Sequence, residues 1–272
     1  DWGRHLLQAV EFGLAMLARA YPAEAPFTAH NTRIIATGLS NGGAAALQAA
    51  GLDEQGWLDG VVALEPNVHV IGEGRPLYDY ATEAAIWLPA ALTATRFTSA
   101  PFARGLKGLP APGWLLRCAS LHAQGRLDGA TTSEQAEQAY ERLRAAGWQD
   151  PVLATAAAAT SFDLWRTLAA GYASAYLRRG PADMPGGFHY AAAGLGGLPG
   201  VADPATRALW WADGTGIPPG NGIGLYGGID LSSDPTLLGC DSLRTLWTGD
   251  GEDAEGLRAA VAATSVKPSP VH

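Results

Sequence analysis

The segment from residue 33 to Gly51 constrains the fold of this chain most strongly. It opens with the β-branched run R-I-I-A-T at 33–37, passes through Gly38 and continues as small residues to Gly51. Such a pattern predicts a strand, a sharp turn and a helix. A second apolar run, V-V-A-L at 61–64, is stopped by Glu65-Pro66. Because strands buried on both faces read as continuous apolar runs, we predict a parallel α/β sheet.

The turn carries the motif G-x-S-x-G, with Ser40 at its centre. A serine on a tight strand-to-helix turn is held with Oγ exposed, and Gly38, Gly42 and Gly43 leave room where strand and helix pass closely. The helix that follows directs its N-terminal N–H groups and positive dipole end at the same point. We therefore predict that Ser40 is a nucleophile and that the backbone N–H of Asn41 donates to an oxyanion. The alternative is a chance match in a glycine-rich chain.

The first residues predict an amphipathic helix with Asp1 as its N-cap and an end before Pro22. Its apolar residues recur at 3-4-3 spacing, at Leu7, Val10, Leu14 and Leu17. The chain starts without a methionine or a signal segment, so we expect it to begin inside a longer fold. Two or three strands also fall short of a usual sheet of about 5–6 strands, so we expect further strands at both ends.

The strand–helix rhythm disappears from about residue 67 to 253 and is replaced by helical stretches and loops rich in glycine and proline. A helix is predicted over 131–146, opened by the capping-box pair Thr131 and Glu134 and closed by Gly147. We predict that 1–66 is a partial core, 67–253 is a mostly helical and loop-rich lid insertion, and 254–272 returns to the core and is truncated.

Another helix is predicted over 161–179, with Ser161 as its cap, and a short helix is predicted over 257–263. The 161–179 helix has one apolar stripe, formed by Phe162, Trp165, Ala169, Tyr172 and Tyr176. Glycine clusters at 194–200 and 220–228 lack the strand-then-helix context of a nucleotide loop, so we interpret them as irregular lid loops.

The charge balance argues against two classes of partner. The chain has 18 basic and 26 acidic side chains, a formal net charge of −8, and no basic run longer than Arg178-Arg179. Nucleic-acid binding depends on a surplus of lysine and arginine, and an acidic chain repels anionic membranes. The chain has no uninterrupted stretch of about 18 apolar residues, so no transmembrane helix is predicted. We therefore expect no nucleic-acid partner and no membrane association.

Five segments carry a resemblance to a known family: D-W-G-R-H-L-L-Q-A-V-E-F at 1–12, A-T-G-L-S-N-G-G-A-A-A-L at 36–47, G-W-L-D-G-V-V-A-L-E-P at 56–66, L-R-C-A-S-L-H-A at 116–123 and C-D-S-L-R-T-L-W-T-G at 240–249. In these segments the chain resembles the D-3-hydroxybutyrate oligomer hydrolases, serine esterases that act downstream of polyhydroxybutyrate depolymerases. The resemblance spans most of the chain and is weakest over 185–230.

The resemblance implies a partial α/β-hydrolase parallel sheet with Ser40 as the nucleophile. It also implies that short linear 3-hydroxybutyrate esters are the small-molecule substrate and that the protein is secreted or periplasmic. The family's acid and histidine would follow position 272, so the chain by itself is expected to be inactive. The resemblance suggests no cofactor, and no metal is expected either.

An in-chain triad would need an acid after the insertion followed by a histidine, because α/β hydrolases order these residues serine, acid, histidine. Only Asp250 or Asp253 with His272 satisfies that order. A solvated acidic turn at 250–253 is the preferred interpretation. Among the other histidines, His69 could line a pocket or simply hydrogen-bond its surroundings, and Glu65 could orient substrate or shape its loop.

Cysteine and tryptophan leave further alternatives open. Cys118 and Cys240 could form one disulfide or remain two buried thiols. Seven of the nine tryptophans lie in the insertion, and most should be core. Trp210-Trp211 could line an apolar groove for the polyester, because adjacent side chains of a strand point to opposite faces.

Two other functions fit the serine turn less well. S-N-G-G after a strand also occurs in prolyl-oligopeptidase-like peptidases, which would cleave an amide instead of an ester. A non-catalytic binding module with a hydrolase-like fold would bury the Ser40 hydroxyl or lack a pocket beside it. Exposure of that hydroxyl at a helix N-terminus would count against the binding module.

Overall fold

The structure is a computed structural model that describes residues 2–98, 112–159, 164–194, 198–213, 222–227 and 237–265. The chain forms two compact units. The first comprises Asp1–Leu77 with Thr264–His272, and the second comprises Tyr78–Ala263. The sequence placed the corresponding boundaries about ten residues earlier, at 66/67 and 253/254.

The described part of the first unit contains two helices and two strands: α1 (Trp2–Ala20), β1 (Ile35–Leu39), α2 (Asn41–Leu52) and β2 (Gly60–Leu64). β1 and β2 pair in parallel, from Ile35 beside Gly60 to Leu39 beside Leu64. The predicted strand–turn–helix path and the parallel pairing of the two apolar runs are therefore observed.

Small residues let the helices of the first unit approach closely. α2 packs its buried Ala44, Ala46 and Ala49 inward. A Cβ atom on Gly3 of α1 would lie 2.8 Å from the backbone of Gln48 and Ala49, so this glycine is the point of closest approach. Leu17 at the end of the predicted stripe is 37% exposed.

One face of the two-stranded sheet is apolar and exposed. Leu39 and Leu64 are 63% and 56% exposed, and Ile35 and Val62 are 54% and 48% exposed. These side chains alternate with Ala36, which is buried. Alternation of this kind places the four exposed side chains on the face opposite α2.

Helices dominate the described part of the second unit: α3 (Leu77–Ala91), α4 (Pro112–Ala123), α5 (Thr132–Ala145), α6 (Asp150–Ala159), α7 (Leu164–Tyr176), α8 (Pro204–Asp213), α9 (Leu237–Thr248) and α10 (Glu252–Thr264). They surround two apolar cores. Leu88, Leu121 and Leu143 lie in the first core, and Phe188 and Leu257 lie in the second.

Of the predicted helices, α5 is confirmed in detail. The Thr131 side chain accepts from the backbone N–H of Glu134, and the Glu134 carboxylate accepts from the backbone N–H of Thr131. Gly147 follows with φ 98°. α7 ends at Tyr176, before the predicted end at residue 179, and its expected cap Ser161 and stripe residue Phe162 lie outside the described residues.

The short helix predicted over 257–263 is longer in the structure and begins at Glu252. Glu252 and Asp253 suit the first turn because carboxylates are favoured at the positive end of a helix. The sequence assigned this helix to the returning core of the first unit. In the structure, Leu257 and Val261 are instead buried in the second core.

The glycine clusters are not wholly irregular, contrary to the prediction. β3 (Phe188–Ala193) pairs antiparallel with β4 (Pro199–Gly200) and β5 (Ile223–Gly227), so both clusters contribute a strand. Gly227 has φ 106°, and a Cβ atom there would lie 2.1 Å from the Gly187 carbonyl oxygen. This glycine is therefore required by close backbone approach.

The aromatic and thiol predictions have separate outcomes. Trp148 is 5% exposed, and Trp87, Trp114, Trp165 and Trp247 pack against the two cores. Trp210 and Trp211 lie in α8, so the interpretation that placed them on a strand is wrong; their side chains are not described. Cys118 and Cys240 are both buried and are not joined by a disulfide.

Candidate active site

Ser40 occupies the single residue between β1 and α2. Its backbone has φ 55° and ψ −116°, a positive φ that side-chain-bearing residues rarely adopt. Ser40 is exposed, and its hydroxyl makes no capping hydrogen bond to α2. Strain of this kind persists where the surrounding structure enforces it, and it is concentrated at functional sites.

Glycine makes the sharp turn possible. A Cβ atom on Gly38 would lie 2.1 Å from the carbonyl carbon of Gly42, so a side chain fits there only if the backbone moves. On Gly43 it would lie 3.1 Å from the carbonyl oxygens of both Gly38 and Leu64. The first turn of α2 therefore sits directly against the carboxyl ends of β1 and β2.

Three backbone hydrogen bonds hold Ser40 in place. Its N–H donates to the Leu64 carbonyl at 2.9 Å. Its carbonyl accepts from the N–H of Ala44 at 3.1 Å and from the N–H of Asn67 at 3.2 Å. The turn is thus tied both to the strand beside it and to the loop that follows that strand.

Asn67 was missed by the sequence analysis. Besides its backbone contact with Ser40, its Nδ2 donates to Asn41 Oδ1 at 3.0 Å. It follows Glu65-Pro66, where Glu65 turns the chain with φ 44°. An asparagine just after a strand end was the available signal, because the carboxyl ends of neighbouring parallel strands converge.

The sequence left a role in the site or in the loop open for Glu65 and for His69, and in the structure both lie in the loop after β2. Glu65 is exposed and makes the positive-φ turn at the end of β2. His69 is half-buried, and its Nδ1 lies 2.9 Å from Ser265 Oγ. Among the described residues, no histidine is hydrogen-bonded to the Ser40 hydroxyl.

The in-chain set of Asp250 or Asp253 with His272 stays a prediction, because only its two candidate acids fall within the described residues. Asp250 is exposed just before α10. Asp253 is 58% exposed and lies 3.6 Å from the Arg179 guanidinium. His272 lies outside the described residues. The preferred interpretation of 250–253 as a solvated acidic turn agrees with the exposure of these residues, but Glu252 and Asp253 lie in the first turn of α10 and not in a loop.

A cavity of about 790 Å³ lies in the second unit, between α9 and the start of α10. Its lining includes Arg179, Asp241, Asp250 and Asp253, and Ser40 is not part of it.

Within the described ranges, no group of three or more histidine, cysteine, aspartate or glutamate side chains is arranged to hold a metal ion. None of the helices in those ranges is long and apolar enough to cross a membrane.

Comparison with known proteins gives one consistent family. Residues 1–269 match the family model described as 3HB-oligomer hydrolase. Curated proteins named D-(-)-3-hydroxybutyrate oligomer hydrolase are similar to the chain, at 35% identity in Paracidovorax citrulli and Burkholderia thailandensis and 32% in Ralstonia nicotianae. The alignments cover 96–97% of this chain and 42–43% of each relative, so the chain spans less than half the length of these relatives. No solved structure matches the chain significantly.

Proposed function

Because the chain belongs to the 3HB-oligomer hydrolase family, we propose that it carries the nucleophile of a serine esterase that cleaves short 3-hydroxybutyrate oligomers. The proposed substrates are linear dimers and trimers, and the product is the hydroxy acid monomer. One observation carries the proposal: Ser40 is exposed at a positive-φ turn between a parallel strand and the N-terminus of α2. The proposed host of this turn is an α/β-hydrolase sheet.

The proposed chemistry is acyl transfer in two steps. A general base takes the Ser40 hydroxyl proton while Oγ attacks the ester carbonyl carbon and forms a tetrahedral oxyanion. Collapse of this intermediate breaks the ester C–O bond, and the departing hydroxy-acid alkoxide receives the proton. Water then attacks the acyl-enzyme in the same manner, which releases the second acid and restores Ser40.

The first turn of α2 supports the oxyanion. The backbone N–H of Asn41 lies in that turn, where the partial positive charge of the helix end adds to the hydrogen bond. A single donor of this kind is worth about 3–4 kcal/mol of the barrier, because the charge develops only in the transition state.

The alternatives are weaker. The family match favours ester substrates over the prolyl-oligopeptidase-like interpretation. A non-catalytic module has no need of an exposed hydroxyl on a strained turn, and Ser40 is exposed there. Secretion or a periplasmic location, which the resemblance implies, remains part of this proposal and is testable by fractionating cells that express the complete natural protein.

The test is turnover of the D-3-hydroxybutyrate dimer by the complete natural protein that carries this sequence. Ser40→Ala should reduce turnover at least a thousandfold, in line with loss of a catalytic nucleophile. Ser133→Ala, at an exposed position of α5, is the matched control and should retain full activity. Near-normal turnover by Ser40→Ala would refute the proposal, and faster cleavage of a peptide than of the dimer would favour the peptidase.

A further inference from the structure

Asn67 contacts both residues of the peptide unit that carries the proposed oxyanion donor. The unit joins Ser40 to Asn41, and it contains the Ser40 carbonyl and the Asn41 N–H. The backbone N–H of Asn67 donates to the Ser40 carbonyl at 3.2 Å, and its Nδ2 donates to Asn41 Oδ1 at 3.0 Å.

Peptide planarity makes this contact directional. In a trans peptide the C=O and N–H bonds are coplanar and point in opposite directions. The N–H groups of Ala44 and Asn67 both hold the Ser40 oxygen, which fixes the direction of that carbonyl. The N–H of Asn41 must then point away from the α2 backbone and from the loop after β2.

The loop that presents Asn67 is itself well determined. Glu65 turns the chain with φ 44°, Pro66 has a ring-restricted φ, and the N–H of Val68 donates to the Pro66 carbonyl at 2.9 Å. A Cβ atom on Gly43 would lie 3.3 Å from Pro66 Cα, so the loop packs against the first turn of α2. Asn67 therefore contacts the turn from a fixed support.

From this geometry we infer that Asn67 is a positioning residue that orients the Ser40–Asn41 peptide so that the Asn41 N–H faces the developing oxyanion. The inference rests on the proposed function of Ser40. Asn67 need not touch the substrate, because it acts through the peptide that it holds. Its side-chain pair with Asn41 limits rotation of this peptide, and its N–H limits the same rotation from the opposite end.

The experiment compares Asn67→Ala with Asn67→Asp in the complete natural protein. Asn67→Ala removes the side-chain bond to Asn41. It should lower kcat for the hydroxybutyrate dimer about tenfold, less than the loss of a whole oxyanion donor. KM should change less than threefold, because the lost interaction belongs to the transition state. A boronic acid, as a tetrahedral mimic, should lose affinity by the same factor as kcat.

Asn67→Asp is the conservative variant, because its carboxylate can accept a hydrogen bond from the Asn41 amide after that amide rotates. It should restore most of kcat and of boronic acid affinity. Thermal unfolding of both variants shows whether each one folds. If Asn67→Ala does not fold, Asn67→Asp still tests the inference, because a folded Asp variant with wild-type boronic acid affinity supports it. A folded Asp variant as impaired as Ala would overturn it.

Two outcomes separate this inference from the proposed function. Wild-type kcat and boronic acid affinity in Asn67→Ala, with Ser40→Ala inactive, would overturn the positioning role alone. Turnover that survives in Ser40→Ala would overturn both. A lower kcat with unchanged boronic acid affinity would also contradict the positioning role, since the oxyanion contact would then be intact.

Discussion

At the scale of single residues, the turn around Ser40 depends on two glycines, because a Cβ atom at either position would crowd the backbone. Gly38 and Gly43 have no side chain where α2 meets the strand ends, and Ser40 takes up a positive φ between them. The sequence identified this turn because G-x-S-x-G after an apolar run has a steric explanation. It did not identify Asn67, because hydrogen bonds from a loop to the N-terminus of a helix leave no periodic pattern in a sequence.

Gly38→Ala tests the steric account. The new Cβ would lie 2.1 Å from the Gly42 carbonyl carbon, so strand and helix must separate, at a cost of about 1–3 kcal/mol or more. Gly51→Ala, near the C-terminal end of α2, is the control, because a Cβ there meets nothing within 4 Å. In a helix, that replacement should stabilise by up to about 1 kcal/mol. Thermal unfolding measures both, and equal midpoints would contradict the account.

Cys118 provides a prediction that depends on pH. Burial raises the pKa of its thiol, against smaller lowering effects of the Thr93 hydrogen bond and of Arg117. The folded state therefore favours the neutral thiol. Its contribution to stability is present below the thiol pKa of the unfolded chain and is lost as the pH rises through the higher folded value.

The corresponding measurement is titration with an aromatic disulfide reagent without prior reduction. Native protein should react slowly even at mildly alkaline pH, and denatured protein should release two thiols per chain. Release of none after denaturation would mean that Cys118 and Cys240 are paired.

At the scale of elements, α3 contains a proline that interrupts its hydrogen bonding, and a residue of α4 compensates for the interruption. Pro89 has no N–H, so the carbonyl of Ala85 four residues earlier loses its helical donor. Arg117 of α4 is 1% exposed and donates through Nη1 to the carbonyls of both Ala85 and Ile86. A buried guanidinium thus completes the hydrogen bonding of a helix interrupted by proline.

A double-mutant cycle tests this coupling. Arg117→Met should destabilise by about 1–3 kcal/mol, because it leaves a buried carbonyl without a donor. Pro89→Ala restores a backbone N–H at that point, so the same arginine substitution should cost less in the Pro89→Ala background. Urea unfolding gives the four stabilities, and strictly additive effects would show that the two residues act independently.

Elements were predictable from sequence where their signals were local. The capping box of α5 and the apolar runs of β1 and β2 fall into this class. The sheet of β3, β4 and β5 was not predictable, because its strands are rich in glycine and alanine and β5 lies some thirty residues along the chain from β3. The early start of α10 was hidden by acidic residues that also suit a loop.

At the scale of the whole molecule, the described residues form a small α/β unit that holds Ser40 and a larger, mainly helical unit with its own two cores. The sequence anticipated a change of character along the chain, but not where each unit begins, because packing decides which core a helix joins. Leu257 and Val261 illustrate this, since their spacing alone fits either core.

The most direct test of the central claim is to trap the acyl-enzyme. The complete natural protein is mixed with D-3-hydroxybutyrate dimer, quenched in acid while turnover proceeds, digested and examined by mass spectrometry. The account predicts a hydroxybutyryl group on the peptide that contains Ser40, absent from Ser40→Ala. A hydroxybutyryl group on another residue, or turnover with no acylated peptide, would contradict it.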